Sequence, residues 1–188
     1  MDIYLIRHTK TDTINGLCYG QSDVALADTF VHETKIIHEK LPTLSAYCHV
    51  YSSPLSRCVR LAESFQKRIT IDDRLQEVNF GDWEGRRFND LDQKALVDWT
   101  ENFVTHAPPN GENFNELCRR VNNFWAELMV AAPAEQILLI THAGVIRALL
   151  ANVLQLPPAN AFKIRVDVGS VHKLRFQNDY IYIDYINR

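Results

Sequence analysis

No apolar run in the 188 residues approaches the roughly 20 needed to span a bilayer. The N-terminus also lacks a basic segment followed by an apolar stretch and a small-residue cleavage site. A cytoplasmic protein with no membrane partner is expected. There is no basic block either: 20 Lys and Arg stand against 23 Asp and Glu, a formal net charge of -3. That speaks against nucleic acid, whose phosphate backbone is met by clustered cations. Cys18, Cys48, Cys58 and Cys118 form no CxxC pair of the zinc-knuckle or redox kind, so free thiols are expected. Cys18 lies near the candidate site below, yet no adjacent histidine or helix start marks it for activation. Nothing marks a second domain, and 46% hydrophobic content is enough for one substantial core over residues 1–188.

What is present is an alternation of strand and helix patterns. Ile3 to Ile6 is a nearly continuous apolar run that exits at Arg7-His8, the pattern of a buried strand ending at a surface. A polar loop through Ala25 leads to a helix over about Asp28 to Lys40, then to a strand over Cys48 to Ser52. Pro54 suits the first turn of a helix capped by Ser53, with Leu55, Val59, Ala62 and Phe65 at helical spacing and Arg57 in the first turn. A short strand follows at Ile69 to Ile71. LQEVNFGDWEGRRFNDL carries two glycines and reads as a loop, followed by a helix around Leu91 to Phe103 and the irregular HAPPNGEN. Asn113 can cap a helix to about Val130 that buries Phe114, Leu117, Val121, Phe124, Trp125 and Leu128. QILLIT is apolar enough for a central parallel strand, and a helix begins just past His142. SVHKLRF and YIYIDYI, either side of Gln177-Asn178-Asp179, read as a hairpin. The expected fold is α/β: a three-layer α/β/α sandwich on a mostly parallel sheet, with ligands at the strands' carboxyl ends.

Arg7-His8 and Thr141-His142 both fall at such ends, Arg57 is delivered by the helix after the second strand, and Glu77 lies in the glycine-flanked loop. Arginine offers a planar fork of donors that matches phosphoryl oxygens. A neutral imidazole can attack phosphorus when one nitrogen is held protonated and the other left free. A carboxylic acid can protonate an alkoxide leaving group and later take a proton from water. Taken singly these residues read as a solvated rim pair, a helix-start histidine, a surface arginine and an exposed carboxylate. Zinc would need a third ligand at short spacing, and none is seen. Tyr19, on a loop expected to overhang the pocket, can stack on a base or sugar, whereas Trp99 and Trp125 sit at helical spacing and belong to the core. Trp83 fits either place. His106 is a candidate substrate contact from a lid region, and His32, His38, His49 and His172 read as structural.

Five ordered motifs tie these residues together. LIRHTKT is similar to the LxRHGxT signature of the histidine phosphatase superfamily, which includes the phosphoglycerate mutases. SSPLSRC resembles its SSPLxRa segment, LQEVNFGDWEG its LxExxFGxWEG, PNGENFNELCRRV its PxGESxxxxxxRv, and LLITHAGVIRALL its VxHGGxxRxLL. The resemblance implies a phosphoglycerate mutase-like fold, a metal-independent phosphohistidine mechanism with no cofactor, and a small phosphate monoester as substrate. It also leaves room for a homodimer. Position by position it makes His8 the nucleophile, Arg7, Arg57 and His142 the phosphate pocket, and Glu77 the proton donor and later base. Thr11 and the backbone N–H of Ala143 are further donors to phosphate, and Gly20 joins Tyr19 in the substrate-binding set. Departures are Thr9 and Lys10 for the usual Gly and Glu, Leu61 for Thr, Asn113 for the Ser of GES, and an Asn15 out of register. The segment between the glutamate loop and the final parallel strand is short compared with the mutases, which leaves a phosphohistidine open to water and favours a phosphatase over a mutase. HTKTDTINGLCYGQSDVAL looks most like the branch containing α-ribazole phosphatase, which implies α-ribazole 5'-phosphate or cobalamin 5'-phosphate as substrate. A broad-specificity or sugar-phosphate phosphatase and an inactive phosphate-binding scaffold are the alternatives.

Overall fold

The structure, a computed structural model, describes residues 1–188. Six strands form one sheet: β1 (Asp2–Arg7), β2 (His49–Ser52), β3 (Arg68–Ile71), β4 (Gln136–Thr141), β5 (Val171–Gln177) and β6 (Tyr180–Tyr185), in the order β3-β2-β4-β1-β5-β6. The first four in that order run parallel, and β5 and β6 are antiparallel additions on the β1 side. The expected mostly parallel sheet is therefore present, with the tail hairpin as its antiparallel edge. Asn178 and Asp179 turn that hairpin with φ of 54° and 58°, the left-handed pair that a two-residue turn between twisted strands requires.

Strand pleat sorts the side chains into two layers. Ile3 and Leu5 of β1 and Ile137 and Leu139 of β4 pack with α4 (Phe114–Ala131) and α5 (Ala143–Val153) on one face. Tyr4 and Ile6, with Leu138 and Ile140, pack with α1 (Phe30–Lys40) and α2 (Ser56–Glu63) on the other. Because β1 and β4 are buried on both faces, their sequences are continuously apolar rather than alternating. α4 buries the same six apolar residues that its spacing indicates, and Asn113 opens it with a capping box in which Glu116 returns the hydrogen bond. A smaller cluster of Cys18, Trp83 and Leu91 lies under the loops, with Trp99 of α3 (Gln93–Asn102) half-buried against it. Trp83 thus belongs to a core, and Cys18 is sealed inside one.

One capping assignment is corrected. α2 starts at Ser56, not after Ser53, and its first N–H is taken by Asp23 Oδ1 at 3.0 Å, with the Ser56 hydroxyl donating to the same oxygen at 2.7 Å. A carboxylate from a distant loop caps the helix in place of the local serine, whose hydroxyl reaches only one backbone N–H, that of Leu55, ahead of the helix, at 3.4 Å.

His172 on β5 is fully buried. Its Nδ1 accepts from Asn187 N at 3.2 Å, which leaves the Nε2 proton for Ser170 Oγ at 3.0 Å. Burial pushes its pKa down to about 4. The unfolded chain therefore takes up this proton first, so the stability is complete above about pH 6.5 and is lost as pH falls toward 4, by about 3 kcal/mol in all. Urea unfolding across this window should show a shallower pH dependence for His172→Gln than for the wild type; an unchanged slope would contradict a buried neutral His172.

Candidate active site

The two histidines are brought together by strand register. β1 and β4 pair with Arg7 opposite Thr141, and His8 N donates to Thr141 O at 3.0 Å. Each chain leaves the sheet at the same level, and the His8 and His142 rings lie with centroids 5.1 Å apart, edge to face. His8 is 4% exposed and His142 fully buried. His8 Nδ1 lies 2.7 Å from Thr9 O. A carbonyl can only accept, so Nδ1 carries the proton and Nε2 keeps its lone pair. Burial, then the charges of Arg57 and Arg7, drive the His8 pKa down to about 3. His142 is held well below its ordinary value by burial first, and then by His8 and the nearby arginines. Both rings are neutral at neutral pH.

Arg57 comes from the first turn of α2 and is fully buried. Nη1 donates to Ser22 O at 2.9 Å and Nη2 to Gly20 O at 2.5 Å. Arg7 Nη1 donates to Val166 O at 2.8 Å. In both arginines Nε is buried without a protein acceptor. Two cations with unmatched donors beside two neutral imidazoles form a site suited to an oxyanion. Gly20 is required by close approach: a Cβ there would overlap Val78 O, so the loop can press against the Glu77 segment only with glycine. Tyr19 is half-buried, with its hydroxyl 2.9 Å from Thr11 Oγ1 and the Arg57 guanidinium 5.4 Å from its ring centre. Tyr19 and Thr11 thus brace each other as a wall of the arginine pocket, and the tyrosine is less a free stacking platform than the sequence indicates.

Glu77 reaches the start of α5. Its Oε1 accepts from Val78 N at 3.0 Å, and both carboxylate oxygens lie 3.1 Å from Gly144 N. A helix N-terminus favours a carboxylate for the same reason that it favours a phosphate. The donor expected at Ala143 therefore has a neighbour, Gly144, that is already committed to Glu77. A Cβ at Gly144 would overlap Glu77 Oε1, so the glycine of His142-Ala143-Gly144 is the sequence signal for this contact. Ser53, which the sequence presents as a helix cap, joins the site as well. Its hydroxyl lies 2.8 Å from His142 Nε2, with the buried Cys58 Sγ 3.5 Å from the same nitrogen. The signal is the second serine of SSPL, a position that also suits a helix cap.

Two residues named from the sequence do not join this cluster. His106 is exposed and pairs with Asp98 at 3.0 Å. Burial, reinforced by Glu84, pushes the Cys18 thiol up to about 12, the opposite of activation. No group of three or more His, Cys, Asp or Glu side chains is arranged to hold a metal ion.

A sequence profile of the histidine phosphatase superfamily (branch 1) matches residues 3–188. The chain belongs to this superfamily. The adenosylcobalamin/α-ribazole phosphatase of Escherichia coli is 31% identical over 177 residues, covering 90% of this chain and 87% of that protein. The crystal structure of the α-ribazole phosphatase from Shigella flexneri superposes with a TM-score of 0.90 at 29% identity, covering all of this chain and 96% of the other. The glucosyl-3-phosphoglycerate phosphatase of Mycobacterium tuberculosis is 29% identical over 178 residues, covering 84% of this chain and 77% of that protein. This histidine phosphatase is a phosphoric ester hydrolase with the α/β fold of its relatives.

In this histidine phosphatase Ser53→Ala leaves a buried imidazole nitrogen without its hydroxyl partner. Loss of such a partner costs about 1–2 kcal/mol, to be read as a lower urea midpoint at constant m-value. A midpoint equal to wild type would show that His142 does not depend on Ser53.

Proposed function

We propose that the chain, acting as one domain over residues 1–188, removes phosphate from a monoester through a phosphohistidine on His8. The observation that carries this reading is the buried, neutral His8, its Nδ1 proton pinned on Thr9 O and its ring beside His142, Arg57 and Arg7. In the first step the Nε2 lone pair attacks phosphorus, the P–O bond to the leaving group breaks, and Glu77 gives a proton to the departing alkoxide. In the second, water attacks the phosphohistidine, Glu77 takes its proton, the N–P bond breaks, and inorganic phosphate leaves. Arg7, Arg57 and His142 hold the phosphoryl oxygens and offset their charge, the work that preorganised donors do in a water-poor site. All of these groups come from a single copy of the chain.

For the substrate we propose α-ribazole 5'-phosphate or the corresponding cobalamin 5'-phosphate. Support comes from the likeness to α-ribazole phosphatases across nearly the whole chain and from the CYGQSD loop, whose Gly20 and Ser22 carbonyls seat Arg57. The test is phosphate release in chelator-containing buffer from α-ribazole 5'-phosphate, 3-phosphoglycerate, fructose bisphosphates and p-nitrophenyl phosphate. A strong preference for the first supports the assignment. Preference for a sugar phosphate moves the substrate to that class, and no release from any overturns the phosphatase reading in favour of a phosphate-binding scaffold.

The acid role makes a sharper prediction. Glu77→Gln should lose about 100-fold or more in kcat/KM on an alkyl phosphate and much less on p-nitrophenyl phosphate, whose leaving group needs little protonation. Equal losses on both would remove Glu77 from the proton-transfer step.

A further inference from the structure

Arg120, on α4, makes five hydrogen bonds, and all converge on the Glu77 loop and its support. Nε donates to Glu112 Oε2 at 3.0 Å and Nη2 to Glu112 Oε1 at 2.5 Å. Nη1 donates to Arg74 O at 2.8 Å and Gln76 O at 2.7 Å, and Nη2 also donates to Glu77 O at 2.9 Å. Glu112 grips the far side of the same loop: its Oε1 accepts from Asn79 N at 3.0 Å and its own N–H donates to Asn79 O at 2.9 Å. Both side chains are mostly buried, at 20% and 15% exposure. Three carbonyls within four residues facing one side is neither a helix nor a strand pattern. Only a planar fork with five donors can satisfy them and a carboxylate together.

We propose that Arg120 and Glu112 are a positioning pair for Glu77, setting where its carboxyl stands against the leaving oxygen without touching substrate. This rests on the reading of Glu77 as the proton donor. The side chain of Glu77 is fixed by Val78 N and Gly144 N, but its Cα is fixed by the loop, and the loop is fixed by Arg120. A displacement of about 1 Å at a reacting group can cost about 100-fold. A rival role is available to Arg120, because its charge also acts on His142. Lysine keeps that charge and lacks the fork.

The experiment compares kcat/KM for α-ribazole 5'-phosphate and p-nitrophenyl phosphate in Arg120→Met and Arg120→Lys, each alone and combined with Glu77→Gln, with Glu112→Gln as a milder variant that spares the arginine. The expected result is a loss of about tenfold or more on the alkyl phosphate, a several-fold smaller loss on the aryl phosphate, no rescue by lysine, and no further loss in the Glu77→Gln background. Glu112→Gln should show the same selectivity at smaller amplitude even if the Arg120 variants fold poorly. Equal losses on both substrates, additivity with Glu77→Gln, or recovery by lysine would each overturn the positioning role. If Glu77→Gln itself shows no leaving-group preference, the reading of Glu77 fails and this inference falls with it.

Discussion

The parallel pairing of β1 with β4 is the constraint on which the site depends. With Ile6 opposite Ile140 and Arg7 opposite Thr141, the residues that follow, His8 and His142, leave the sheet side by side. A slip of one residue would turn every side chain of β1 to the opposite face, burying what should be exposed and separating the histidines. The register is held by the layers above and below, since Ile3 and Leu5 belong to one core and Tyr4 and Ile6 to the other. The same apolar packing that stabilises the fold therefore sets the distance between the two imidazoles.

From that pairing the electrostatics follow. Two imidazoles buried beside two guanidinium groups cannot both charge, because desolvation and like-charge repulsion act in the same direction. His8 is driven down to about 3 and His142 well below its ordinary value, while the arginines donate to the carbonyls of Gly20, Ser22 and Val166. The result is a cationic cluster around a buried imidazole whose charging is disfavoured. On the mechanism we propose, a phosphate monoester supplies the missing negative charge, and transfer of its phosphoryl group to His8 leaves that charge beside the arginines. Glu77, at the start of α5, takes its hydrogen bonds from Val78 N and Gly144 N and forms no ion pair with either arginine.

Much of this was legible from residue order. The apolar face of α4 follows the 3.6-residue period to the residue, and its cap was read from Asn113. The apolar strands β1 and β4 and the hairpin tail announce themselves by composition. His8, Arg7, Arg57, Glu77 and His142 stand out by position after strands and by motif, and the structure sets the two imidazoles side by side within reach of the charges of both arginines. What stayed hidden shares a cause: it is fixed by partners far away in sequence. Ser53 looks like a helix cap until His142, 89 residues on, claims its hydroxyl, and Asp23 caps α2 from 33 residues upstream. Arg120 is the second arginine of the PNGENFNELCRRV motif, but its task shows only once the carbonyls of Arg74, Gln76 and Glu77 are seen to face it. Glu77 sitting on Gly144 rather than leaving that helix start free could be found only from geometry, because both an anion and a carboxylate suit a helix N-terminus.

On the mechanism we propose, His8 Nε2 carries the phosphoryl group during turnover. The most direct measurement is rapid quenching of the wild-type protein with a phosphate-ester substrate under neutral or alkaline conditions, where a phosphohistidine survives, followed by mass spectrometry of the peptide that contains residues 7–10. That mechanism requires one acid-labile phosphoryl group on His8, formed and consumed fast enough to carry turnover. Turnover that proceeds with no adduct, or with the phosphoryl group on another residue, would contradict it.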